Sequence, residues 1–226
     1  MIDQRTSSET GSAIILILMA IAMFAALSYV VFRDSRSGIS SLTAEQARIA
    51  AQEVLSYADG IKKTVQTLRL RGCSDTQINL YSANGAAGVG DNAGAPADDS
   101  CDVFSVAGGN MNYQDIPSVA LSSSATTTKW WFDGRIVVKN IGTTSPELIV
   151  WAQQLKPEVC NALNQAVMGA DSAAEVVSTH TTGFSGTYSA AADGVGNDAG
   201  SIYDTQATGC LQDGSNYDFY AVLIAR

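Results

Sequence analysis

The stretch Ala13–Phe32, AIILILMAIAMFAALSYVVF, limits what this chain can fold into more than any other. Its twenty residues carry no charge, and only Ser28 and Tyr29 are polar. As a helix it would be about 30 Å long, the thickness of a bilayer's hydrocarbon core. A helix on the surface of a soluble protein keeps one polar face, and this run keeps none. A cleaved secretory signal would have an apolar region of about 7–15 residues ending in small side chains. This run ends instead in Tyr-Val-Val-Phe and meets Arg33. The sequence therefore predicts a retained, membrane-spanning helix over 13–32, preceded by a leader, residues 1–11, too short to fold.

Downstream, helical patterning resumes. Ala47, Ile49, Ala50, Val54, Leu55, Ala58, Ile61, Val65 and Leu68 recur mostly in steps of three and four, the mark of an amphipathic helix. Thr43 with Gln46 could cap a separate helix, and Gly38 would soften a continuous one by about 1 kcal/mol relative to Ala. Proline first appears at Pro96, so one long helix over 12–71 is expected, closing at Gly72.

Charge divides the chain. Residues 1–71 hold eight Lys/Arg and six Asp/Glu, and residues 72–226 hold five and sixteen, which together give the formal −9. An acidic head without a basic stripe argues against nucleic acid as a partner. All four cysteines (Cys73, Cys101, Cys160 and Cys210) lie in that head, at spacings of 28, 59 and 50 residues. An even number beyond an apolar helix suggests two disulfides and an oxidising compartment. Three pairings are possible, and Cys73–Cys101 with Cys160–Cys210 is preferred because each closes a local loop. The arginines after the apolar run (Arg33, Arg36 and Arg48) outnumber those before it, so the positive-inside rule would leave the head in the cytoplasm. The cysteines are given more weight, and residues 72–226 are read as an extracytoplasmic globular head.

Within the head, Cys73 to Pro117 reads mostly as loop, with a short strand around 101–107. Lys129–Asn140 and Glu147–Gln154 are β-branched and aromatic, and the intervening glycine-bearing segment makes them a hairpin. Pro157 to Met168 has proline and glutamate in its first turn and glycine after its end, which predicts a helix with Cys160, Leu163 and Val167 on one face. Ala170 to Cys210 reads as loop with one strand near 182–189. Tyr217–Ala225 is apolar on both faces, as in a central strand. The fold class expected is α+β: a long N-terminal helix, membrane-spanning in its first half, with a disulfide-bonded antiparallel β-sheet head.

Chemistry is sparse. The chain lacks a phosphate-binding glycine loop followed by lysine and a G-x-S-x-G elbow, and His180, its single histidine, falls in a Ser/Thr/Gly stretch. The near-repeat GVGDNAG (88–94) and GVGNDAG (194–200) brings Asp91, Asp98, Asp99, Asp193 and Asp198 forward as oxygen donors, but neither loop has EF-hand spacing. No catalytic residue, metal or cofactor is assigned. Of the adjacent Trp130 and Trp131, one is expected in the core and one at the surface.

The order of these parts resembles the type IV pilins and pseudopilins. A short leader ends in Gly11, a retained apolar helix starts at Ser12, an amphipathic continuation follows, and antiparallel strands and a cysteine-closed C-terminal loop form the head. Gly11–Ser12 matches the family's prepilin-peptidase junction. Cys160 on a short helix, paired with Cys210 ahead of the last strand, is similar to the disulfide-bounded C-terminal region of the larger pilin subclass. The resemblance implies a structural subunit of a bacterial pilus or secretion-pseudopilus filament that assembles through its apolar helix. Its implied partners are other copies or related pilins, prepilin peptidase and the inner membrane before assembly, with the head in the periplasm and later on the cell surface. Family members usually carry glutamate at the fifth mature position, where this chain has Leu16, and that departure implies a minor or tip subunit. The alternative is a membrane-anchored periplasmic binding domain that does not polymerise.

Overall fold

The computed structural model describes residues 10–82, 91–175, 177, 183–189 and 194–226. The chain divides into two units, Met1–Glu45 and Gln46–Arg226. Helix α1, Thr10–Leu70, enters both. It runs unbroken through Gly38 and Thr43, so no separate helix begins at Thr43.

Among the described residues no helix is long and apolar enough to cross a membrane, and this corrects the expectation of a membrane-spanning segment over 13–32.

In the second unit α1 buries one face, with Ala47, Ala50, Ala51, Val54, Ala58, Ile61, Val65 and Leu68 all enclosed. Ile49, off that stripe, is 57% exposed. The helix stops at a left-handed glycine. Gly72 has φ +103°, its N–H donates to Arg69 O at 3.0 Å, and the Cys73 N–H donates to Leu68 O at 3.1 Å. Those two bonds satisfy terminal carbonyls and turn the chain, a conformation a β-carbon would resist.

The sheet contains β1 (Trp131–Asp133), β2 (Leu148–Ala152), β3 (Thr208–Asp213) and β4 (Asn216–Ile224), in the spatial order β1-β2-β4-β3, antiparallel throughout. Trp131 pairs with Trp151, and Val150 with Ala221. The central position of β4 explains its apolar residues on both sides. Phe219, Ala221 and Leu223 join one cluster with α1, Val150 and Phe132, while Tyr220 and Val222 join a second with Ile149, Trp151, Ile136 and Tyr203. Trp130 is fully buried in the first cluster and half-buried Trp131 packs on the second. β1 is shorter than the twelve-residue run that suggested it, because Arg135 folds back on buried Asp133. Its backbone N–H and Nε both donate to Oδ1, and Nη2 donates to Oδ2.

Helix α2, Pro157–Val167, carries Pro157 in its first turn beside Glu158 and buries Val159, Cys160, Leu163 and Asn164. β3 was not foreseen, since residues 170–210 read as loop. The strand expected around 101–107 is instead irregular chain with one isolated bridge, Asn79 to Asp102. Residues 183–189 form no strand, and the rest of the stretch that suggested one there lies outside the described residues.

Both outer edges of the sheet are occupied. On β3 the Cys210 N–H donates to Asn164 Oδ1 at 2.7 Å, and Asn164 Nδ2 donates to Cys210 O at 2.6 Å. Two residues on, the Gln212 N–H donates to Ala173 O and the Glu175 N–H to Gln212 O, each at 3.0 Å. On β1 the Phe184 N–H donates to Phe132 O at 2.9 Å. Phe184 fits there because residue 134 is glycine: a β-carbon on Gly134 would sit 2.7 Å from the ring.

Candidate functional site

Two features of the chain invite a functional reading: the apolar start of α1 and the disulfide-held loops of the second unit. Gly11 and Ser12 lie in the first turn of α1, which contains no acidic residue. Then come Ile15, Leu16, Ile17, Leu18, Met19, Ile21, Met23 and Phe24, each between 58% and 75% exposed. Side chains at successive positions point all around a helix, so this surface is apolar on every side. Leu16, at the position where the resembled family carries a carboxylate, is 64% exposed.

The structure forms two disulfides, Cys73–Cys101 and Cys160–Cys210, and no cysteine is free. The first joins the end of α1 to the irregular loop after Asn79. The second joins α2 to β3. Around it the Asn164 amide, fully buried, grips both backbone polar groups of Cys210, and Tyr203 Oη donates to Cys210 O at 2.8 Å. That tyrosine hydroxyl also accepts from the Ala173 N–H at 2.8 Å. Burial raises the Tyr203 pKa, which keeps the hydroxyl protonated and able to donate.

Buried carboxylates hold loops together. Glu175 accepts the Gly196 N–H at 2.6 Å and the Ser201 hydroxyl at 2.7 Å, which pins the second copy of the near-repeat against the sheet's β3 edge. Glu147 is fully buried just before β2. Its Oε2 accepts the Val138 N–H at 2.8 Å, while Oε1 is buried without a hydrogen-bond partner. Burial pushes its pKa up to about 7, against the lowering effect of the Val138 bond.

Among the described residues the aspartates put forward from the near-repeats and their surroundings do not converge on a metal site. Asp91 Oδ1 accepts from Asn79 Nδ2 at 2.8 Å and Asp98 Oδ1 from the Ser100 N–H at 3.0 Å, both local turn-forming roles. Among the described residues, no three His, Cys, Asp or Glu side chains are placed to hold a metal ion. Asp193 and His180 lie outside the described residues.

Sequence reasoning missed Asn164, Glu147 and Glu175 as organising residues. Asn164 had a legible signal: it sits one residue after Leu163 on the cysteine's side of an amphipathic helix, where a polar side chain must find partners. The two glutamates had none, because their partners come from backbone far along the chain. The chain matches no family model, no curated protein and no solved structure.

Proposed function

We propose that the chain is a structural subunit, in a minor or tip position, of a bacterial type IV pilus-like or secretion-pseudopilus filament, and that it assembles through the apolar start of α1. The observation that carries this reading is the exposed surface of Ile15–Phe24, apolar on every side. A helix hydrophobic all round is one that something covers. About three turns of such surface suffice for packing on neighbouring helices. Covering eight large side chains that are 58–75% exposed would favour association by on the order of 10 kcal/mol before its entropic cost. Copies of this chain or related pilins supply matching helices.

Other features agree with the reading. Two disulfides suit an exported head displayed at the cell surface. Gly11–Ser12, at the mouth of the apolar run, is where prepilin peptidase would remove the leader. With Leu16 in place of a carboxylate, a subunit has nothing at that depth to pair with a neighbour's terminal amine. A shaft subunit would leave that amine as an uncompensated charge costing several kcal/mol, which favours the minor or tip position.

The test is to shear surface filaments from cells and quantify the chain in them, wild type against Leu18→Asp. The wild type should co-purify with filaments below the level of the principal subunit, and the aspartate variant should be lost from them. A wild-type chain never found in the filament fraction overturns the proposal.

A further inference from the structure

We propose that Cys73–Cys101, and not Cys160–Cys210, is a thiol–disulfide exchange site, open on its Cys73 side to an exported protein carrying a reactive dithiol. The two bridges differ in access. Cys160 and Cys210 are fully buried between α2 and β3, whereas Cys73 is 9% exposed and borders two open grooves. One groove, of about 720 Å³, is lined by Gln66, Arg69, Leu70, Cys73, Ser74 and Asp75. It touches Cys73 and not Cys101, so a nucleophile entering there meets the Cys73 sulfur first. The other, of about 300 Å³, includes Arg71, Cys73, Ser100 and Cys101. Each groove also carries an arginine, Arg69 in the first and Arg71 in the second. Cations beside sulfur favour thiolate, the form that both attacks and departs. Leu70, 89% exposed at the rim, offers an apolar contact to a docking protein.

In the exchange a carrier thiolate bonds to Cys73 Sγ as the bond to Cys101 breaks, and Cys101 departs with the electron pair as thiolate. The carrier's second thiol, as thiolate, then displaces Cys73. The carrier ends as a disulfide and this chain as two thiols, with two electrons transferred and the carrier's two protons taken up by the two cysteines. The consequence is local. The bridge ties the end of α1 to the loop that Arg71 also reaches, its Nη1 donating to Gly108 O at 3.0 Å, and opening it removes the covalent tie while noncovalent ones such as that bond remain.

The full chain in native buffer, treated with dithiothreitol, quenched with N-ethylmaleimide and mapped by peptide mass, tests the assignment. Cys73 and Cys101 should be alkylated at least about tenfold faster than Cys160 and Cys210. Equal rates, or Cys160–Cys210 opening first, would overturn the proposal. Glutathione, which has no second thiol, should be trapped as a mixed disulfide on Cys73; capture on Cys101 overturns the direction of attack. Arg69→Gln should slow the glutathione capture severalfold with circular dichroism unchanged, and an unaltered rate would reject the groove as the entry.

Discussion

Replacing Glu147 by Gln should remove a pH dependence of stability that the wild-type chain carries. Glu147 is fully enclosed, its Oε1 unpartnered, and burial holds its pKa near 7 against an ordinary value of 4.5. Below pH 4.5 the carboxyl is neutral folded and unfolded, and its contribution is fully present. Between 4.5 and about 7 the unfolded chain releases the proton while the folded chain retains it, so stability falls as pH rises; above 7 the loss is complete. Each unit of difference corresponds to about 1.4 kcal/mol, so the wild type should lose about 2–3 kcal/mol between pH 4.5 and 8 through this group. Glutamine keeps an acceptor for the Val138 N–H and cannot ionise. Urea unfolding of both full-length chains with disulfides intact, followed by the fluorescence of Trp130 and Trp151, gives the two curves. Subtracting them cancels the other shifted groups, including Asp102, raised by burial, and Asp204, lowered by its bonds to Lys139 and Asn140. Parallel curves across that range would refute the reasoning.

Gly11→Trp should block leader removal, which intact mass of the native protein would read directly; loss of the first eleven residues in that variant would remove the most specific support for the pilin reading. Leu16→Glu should lower incorporation into sheared filaments if the chain sits at a tip, where no incoming amine meets the new charge, whereas undiminished incorporation would point to a shaft position. Asn164→Ala should destabilise the second unit by about 1–3 kcal/mol, because the buried Cys210 N–H loses its partner and Cys210 O keeps only the Tyr203 hydroxyl. Hydrogen exchange should accordingly rise at Cys210 before it rises at Tyr220 on the neighbouring strand.

Local chemistry made several elements legible. Proline and glutamate opening α2, the β-branched and aromatic run of β2, and the two-faced apolar character of β4 each reflect an environment that a short window records. β3 was illegible because TGCLQD has the composition of a turn. It becomes a strand through its pairing with β4 on one side and the Asn164 amide on the other, neither visible from its own residues. The apolar run at 13–32 shows the opposite failure. Composition measured its hydrophobicity and predicted a span, whereas among the described residues no helix is long and apolar enough to cross a membrane. The candidate site was legible at its cysteines, which have few ways to pair. The buried glutamates were not, since their meaning lies in which distant N–H groups reach them.

The closed edges of the sheet bear on life at high density. A protein that accumulates side by side with its copies is exposed, at every collision, to the chance of strand adding to strand, and such additions grow without limit. Here the backbone of β3 is answered by a side-chain amide and the 173–175 segment, and that of β1 by the backbone at Phe184. A visiting strand finds these hydrogen bonds already made. Strand addition is thereby blocked at the positions where these bonds are made, however crowded the surroundings.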